Sequence, residues 1–168
     1  MKNKLLQLSG LIACTIMQYE LHADVDRENI AILLAENVSK NKLPFHEIIK
    51  NQRYSLSEKL ALIKKIADAK EVDINAQDAN GKTALNLVIF YKGAPEIVKL
   101  LISSGADVNE PDLFNETPLH NAIRNEDITA AKILVAHGAD VRFQNDKGLT
   151  PLDLAQSPTT MAVLGLQS

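Results

Sequence analysis

Cysteine is almost missing from this chain. Cys14 is the only one, so an intrachain disulfide framework and any multi-cysteine metal site are excluded. Tryptophan is absent and the aromatic residues together make up 4%. That shortage points away from an aromatic-rich sandwich and toward helices packed through Ala, Leu, Ile and Val. No excess of positive charge exists either: Lys+Arg number 18 against 21 Asp+Glu, a net charge of −3. A nucleic-acid binder relying on a large basic surface is therefore not expected. What the chain does have is 168 residues, 46% of them apolar and 23% charged. This is enough for one domain with a packed core and argues against wholesale disorder.

The N-terminus reads as an address. Met1-Lys2-Asn3-Lys4 is short and positive, residues 5–17 (LLQLSGLIACTIM) are mostly apolar, and a more polar stretch ends Leu21-His22-Ala23 before Asp24. These are the three regions of a secretory signal peptide over 1–23, with a small residue at the cleavage point. The apolar part falls short of the ~20 residues that a spanning helix needs. Leu11-Ile12-Ala13-Cys14 offers a second version, a bacterial lipobox in which Cys14 would be lipidated and anchor the protein to a membrane. Cleavage after Ala23 predicts a secreted or periplasmic protein. If the N-terminus is retained, the protein is cytoplasmic.

Internal repetition governs the remainder. Gly81-Lys82-Thr83-Ala84-Leu85-Asn86 recurs as Asn115-Glu116-Thr117-Pro118-Leu119-His120 and as Gly148-Leu149-Thr150-Pro151-Leu152-Asp153, with the threonines 34 and 33 residues apart. A second marker keeps the same interval: Ser104-Gly105-Ala106-Asp107-Val108-Asn109 returns 33 residues later as His137-Gly138-Ala139-Asp140-Val141-Arg142. A fixed period of this length signals a repeat array.

The pattern resembles the ankyrin repeat, whose signature Thr-Pro-Leu-His-x-Ala is met in full by residues 117–122 (TPLHNA). The resemblance implies an all-α solenoid of helix-turn-helix units joined by short hairpin-like turns. Residues 75–108 and 109–141 read as full repeats, 142–168 as a partial C-terminal one, and 43–74 as a degenerate copy with Leu43-Pro44-Phe45-His46 in the signature slot. Residues 24–42 read as an N-terminal capping helix and linker, the helix itself running from Asp26 to Asn37.

Local chemistry agrees. Thr117 and Thr150 are placed to cap helices, with Pro118 and Pro151 at the first helical position, where a missing N–H costs nothing. Pro95 begins a helix whose buried stripe should be Ile97, Val98, Leu100 and Leu101; the equivalent stripe later is Ile128, Ala131, Ile133, Leu134 and Val135. Gly105 and Gly138 fall just past helix ends. Asn115 stands where glycine is usual, and asparagine tolerates a positive φ. Leu87-Val88-Ile89 is bulkier than the family's pattern, which predicts a slight splay. One extra residue lies between Asn86 and Glu96. The last repeat is expected to have a short helix from Thr159 to Leu164, leaving Val163, Leu164 and Leu166 under-covered.

No catalytic constellation emerges. His46-Glu47 lacks the second histidine of a zinc-protease motif, and no phosphate-binding loop or nucleophile elbow is present. His46 and His120 fall in the slot where the family's histidine braces adjacent turns. No cofactor, metal, nucleic acid or small-molecule substrate is expected. The resemblance implies a non-enzymatic protein that binds another protein through its turn tips and the inner face of each first helix. On this chain the matching residues are Phe90, Tyr91, Leu113, Phe114, Glu116, Arg124 and Leu149. Two other readings stay open: a host-directed or intracellular effector, and an enzyme or toxin with its site in residues 24–72.

Overall fold

Five of the eight helices among the described residues open on a proline, and that residue largely fixes where they begin. The computed structural model describes residues 43–70 and 72–165, all within one unit spanning Ala35–Ser168. The helices are α1 (Pro44–Lys50), α2 (Leu56–Ala69), α3 (Ala84–Phe90), α4 (Pro95–Ser103), α5 (Pro118–Arg124), α6 (Ile128–Ala136), α7 (Pro151–Leu154) and α8 (Pro158–Val163). Proline's fixed φ suits the first helical position and its absent N–H is not missed there. Where proline is lacking, a side-chain oxygen does the work. Ser55 caps α2 in a reciprocal box with Glu58, Thr83 accepts the N–H of Asn86, and Asp127 accepts that of Ala130.

Helices this short are marginal alone and depend on packing. They form two layers. The inner layer runs α1 on α3, α3 on α5, α5 on α7; the outer runs α2 on α4, α4 on α6, α6 on α8. Within the repeats, α1 packs on α2, α3 on α4 and α5 on α6. The core between the layers is aliphatic apart from Phe45: Ile63, Leu85, Ile89, Val98, Leu101, Leu119, Ile123 and Leu134 are fully buried. Each pair thus leaves flanks that its neighbours cover, the physical signature of a repeat array.

The stripes are narrower than expected. Ile97, Val98 and Leu101 are buried but Leu100 is half-buried, and Ile128 and Val135 are half-buried beside buried Ala130, Ala131, Ile133 and Leu134. The last helix begins at Pro158, capped by Ser157, one residue before the expected Thr159. Leu164 is buried rather than under-covered, because α8 lies against α6 and Leu164 joins the common core; Val163 is half-buried. The signal peptide, Cys14, the helix expected over Asp26 to Asn37, and Leu166 lie outside the described residues.

The bulky run in α3 is fully absorbed. Leu87, Val88 and Ile89 are all buried, and Gly93 accommodates the middle one. A Cβ at Gly93 would lie 2.5 Å from Val88 Cγ2 and 3.0 Å from its carbonyl oxygen. In the next repeat the same closing bond is kept with the sizes exchanged. Gly93 N–H donates to Val88 O at 2.7 Å, and Asp127 N–H donates to Ala122 O at 2.9 Å. A side chain after the helix is permitted where alanine stands inside it.

Candidate functional site

Each tip is a loop closed by one side chain. Asp78 Oδ1 accepts from the N–H groups of Asn80 and Lys82 at 2.9 and 3.0 Å; Asp112 Oδ1 accepts from Phe114 and Glu116 at 2.9 and 3.1 Å; Asn145 Oδ1 accepts from Lys147 and Leu149 at 3.0 Å each. Asp and Asn suit this because a short oxygen-bearing side chain reaches N–H groups two and four residues ahead. Every loop also needs a left-handed residue, supplied by Gly81 (φ +71°), Asn115 (φ +55°) and Gly148 (φ +71°). Asn115 takes the strained position as its chemistry predicts, and its amide donates to Asp146 on the next tip at 2.6 Å. Adjacent tips are further tied by Leu113 N–H to Asn80 O (3.3 Å) and Asp146 N–H to Phe114 O (3.1 Å).

The histidine slot braces these loops. His120 Nδ1 accepts the Thr117 N–H at 3.1 Å and lies 2.8 Å from its hydroxyl, which places the ring proton on Nε2, donating to Leu149 O at 3.1 Å. His46 Nε2 donates to Lys82 O at 2.6 Å, but its buried Nδ1 has no partner among the described residues. The reason is visible in sequence: Leu43 occupies the position of Thr117 and offers no hydroxyl. Asn86, in the same slot, donates to Glu110 O at 3.2 Å and leaves its own oxygen unpaired.

Burial is the main cause that lowers the pKa of both histidines below the ordinary value, outweighing their carbonyl bonds. Three carboxyls of the tips, Asp78, Asp112 and Glu116, are lowered as well. Burial alone would raise Asp78 and Asp112; loop N–H groups and Lys50 outweigh it at Asp78, and the Lys82 ammonium with the loop N–H groups outweighs it at Asp112. Glu116 is lowered chiefly by Arg124. All these groups favour the same direction of pH dependence. A group whose pKa is depressed by folding stabilises the fold above its unfolded value and loses that contribution as pH falls through its folded value. The urea midpoint should decline below about pH 6.5 as the histidines protonate, and again below about pH 4 as the carboxylates do. In His120→Asn the upper decline should be visibly shallower. An upper decline as steep as that of the native chain would contradict this account.

Four of the residues expected to bind a partner, Glu116, Leu149, Phe90 and Arg124, fall into two columns. Positions 82, 116 and 149 are equivalent tip residues, and 50, 90 and 124 are equivalent ends of inner helices. Helical side chains lean toward the N-terminus, so Phe90 and Arg124 each reach back to their own tip, whereas Lys50 meets Asp78 on the next one. The Lys82 ammonium lies 5.2 Å from the Phe90 ring centroid and 2.7 Å from Asp112; one repeat later Arg124 forks onto Glu116 in a two-bonded ion pair. Phe90 and Tyr91 meet edge to face at 5.3 Å. Leu113 and Phe114 share one tip, and Leu149 sits on the next. Among the described residues no ring contact joins Phe114 to Phe90 or Tyr91.

All five apolar members are exposed: Leu113 by 64%, Phe114 by 65%, Tyr91 by 56%, Phe90 by 49% and Leu149 by 36%. Phe114 does not fold inward. Sequence reasoning missed Asp112, which is buried and engages Lys82, and Lys50, which pairs with Asp78 at 3.4 Å. The recurrence of Asp78, Asp112 and Asn145 at the repeat interval was the signal available for the first. Lys50 could have been found as the helix-end equivalent of Phe90 and Arg124.

Comparison with known proteins agrees with this geometry. Residues 21–112 and 87–159 match the family model for ankyrin repeats in three copies. Over 89 residues the chain is 39% identical to a putative palmitoyltransferase ZDHHC13 of Danio rerio, a match covering 52% of this chain and 14% of that protein. Over 118 residues it is 34% identical to inversin of Canis lupus familiaris, covering 67% of this chain and 11% of that one. The chain therefore spans only a small part of the curated relatives it matches. The crystal structure of the ankyrin repeat domain of Bcl-3 superposes with a TM-score of 0.65 at 24% identity, covering 73% of this chain and 50% of that one; at that identity the likeness concerns the fold. With its period, capped helix pairs and locked tips all matching the family model over most of its length, this chain belongs to the ankyrin-repeat family.

Proposed function

We propose that the chain is a non-enzymatic module that binds another protein across its tips and inner-helix ends, and that residues 1–23 direct its export. The observation that carries the binding reading is the exposure of Leu113 and Phe114 on a tip that does not need them. That loop is closed by Asp112 and backbone groups alone. Two large apolar side chains with no role in closing their loop suit an interface, where aromatic anchors dominate the binding energy. The Glu116–Arg124 pair beside them supplies a polar rim that can reorient toward a charged partner.

One crosslinking experiment in the native host tests both parts. Phe90, Leu113 and Phe114 are replaced together by serine, and Tyr91 is left in place. The partner captured by the native chain should be lost while helicity and melting stay nearly unchanged. Undiminished capture would remove the patch from consideration. N-terminal sequencing of the recovered protein should begin at Asp24; a lipidated Cys14 or an intact Met1 would replace that export route.

A further inference from the structure

At the other end of the inner helices, away from the tips, a cavity of about 450 Å³ opens between the α1–α2 and α3–α4 connections. Its floor is apolar, formed by Ile49, Val88 and Ile97. Tyr54, Leu56 and Tyr91 stand around it, and the last two are well exposed. Two features of this repeat make room for it. Gly93 contributes no side chain, and the connection carries the extra residue Ala94, which the α5–α6 connection lacks.

The charges that line the cavity are of one sign, while Glu47 and Glu58 lie beyond the lining but near enough to act on Tyr54. In a chain of net charge −3, the charged residues lining it are Lys50 and Lys59 alone. Lys59 Nζ donates to Ile49 O at 2.9 Å, which holds the ammonium at the wall with further N–H groups to offer. Lys50 shares Asp78 at 3.4 Å and is largely exposed. Glu58, nearby, is committed to the Ser55 cap through bonds of 2.8 and 2.7 Å. The neighbouring cavity of about 430 Å³, one repeat further on, differs in kind. Its charged lining is Lys92, Glu126 and Asp127, and it holds no aromatic residue.

We infer that the cavity bounded by Tyr54, Leu56, Tyr91 and Lys59 is a second docking site, which takes one apolar side chain flanked by carboxylates from an acidic peptide segment of a protein partner. The volume suits one or two large side chains, at the small end of ligand-sized pockets. The apolar floor supplies affinity and the two lysines select an anionic segment. The cavity adjoins the proposed binding surface through Tyr91 but does not use Phe90, Leu113 or Phe114, so the two sites can be tested separately.

Amide NMR titration of the full chain tests it with three probes: acetyl-Glu-Phe-Glu-amide, acetyl-Lys-Phe-Lys-amide and 3-phenylpropionate. The acidic peptide should shift the amides of Leu56, Tyr91, Gly93 and Ala94 saturably at about millimolar concentration. The basic peptide should bind at least about tenfold more weakly. Leu56→Glu puts a negative charge on the rim at the first position of α2, where an acid suits the helix dipole. It should leave melting unchanged and weaken the acidic peptide by about tenfold or more. No shift at those amides, or equal binding of the two peptides, would overturn the assignment. Tighter binding of 3-phenylpropionate than of the peptide would give the cavity to a small molecule instead.

Discussion

Leu119→Ala should lower the stability of the fold by about 3–5 kcal/mol. Leu119 is fully buried in α5, the inner helix that packs on α3 on one side and α7 on the other. Removing three carbons there takes away transfer free energy and leaves a cavity that two neighbours, not one, must close. Short helices held only by such contacts relax poorly without losing others. Ordinary domains are stable by ~5–15 kcal/mol, so the variant should stand close to unfolding. The check is the urea midpoint of native and variant chains, read by helicity. A loss below about 1 kcal/mol would mean that α5 is not bearing the contacts described.

The second large effect is expected at Gly93→Ala, at about 1–3 kcal/mol. The cause is overlap rather than backbone strain. The new Cβ would lie 2.5 Å from Val88 Cγ2, far inside contact distance. Val88→Ala alone opens a cavity in the core and should also destabilise, by about 2 kcal/mol. Together the two changes recreate the arrangement of Ala122 and Asp127, which the next repeat already uses. The double variant should therefore be more stable than the sum of the single losses by at least about 1 kcal/mol. Additive losses in the double-mutant cycle would show that Val88 and Gly93 do not share this space.

Much of the architecture is legible in the sequence, and the reason is physical. Thr117, Pro118 and His120 meet a requirement common to the units, namely a helix start and a brace to the next loop, so threonine returns at 83 and 150, proline at 44 and 151, and histidine at 46. Asn115 could be assigned its left-handed φ because few other residues accept one. What escaped were features belonging to one repeat alone. Val88 and Gly93 are each unremarkable letters; only their closeness makes them a pair. Asp112 and Asp107 look alike in sequence, yet the first is buried in a loop and the second is exposed near Asn75. Leu164, near the end of a chain, gave no sign that α8 would press it against the core. The exposed tip residues were legible as positions, but whether Phe114 turned outward depended on a loop whose bonds were all made by other groups. The cavity under Tyr54 and Tyr91 arises from one extra residue and one absent side chain, neither of which announces a hollow.

The central claim is that each helix pair is held by the pairs beside it. Native-state amide hydrogen exchange reads this helix by helix. If the account holds, protection is greatest in α3, α4, α5 and α6, which are covered on both sides. It then falls by at least about tenfold toward α7 and α8. Equal protection from α3 through α8, as from a single undivided core, would contradict it.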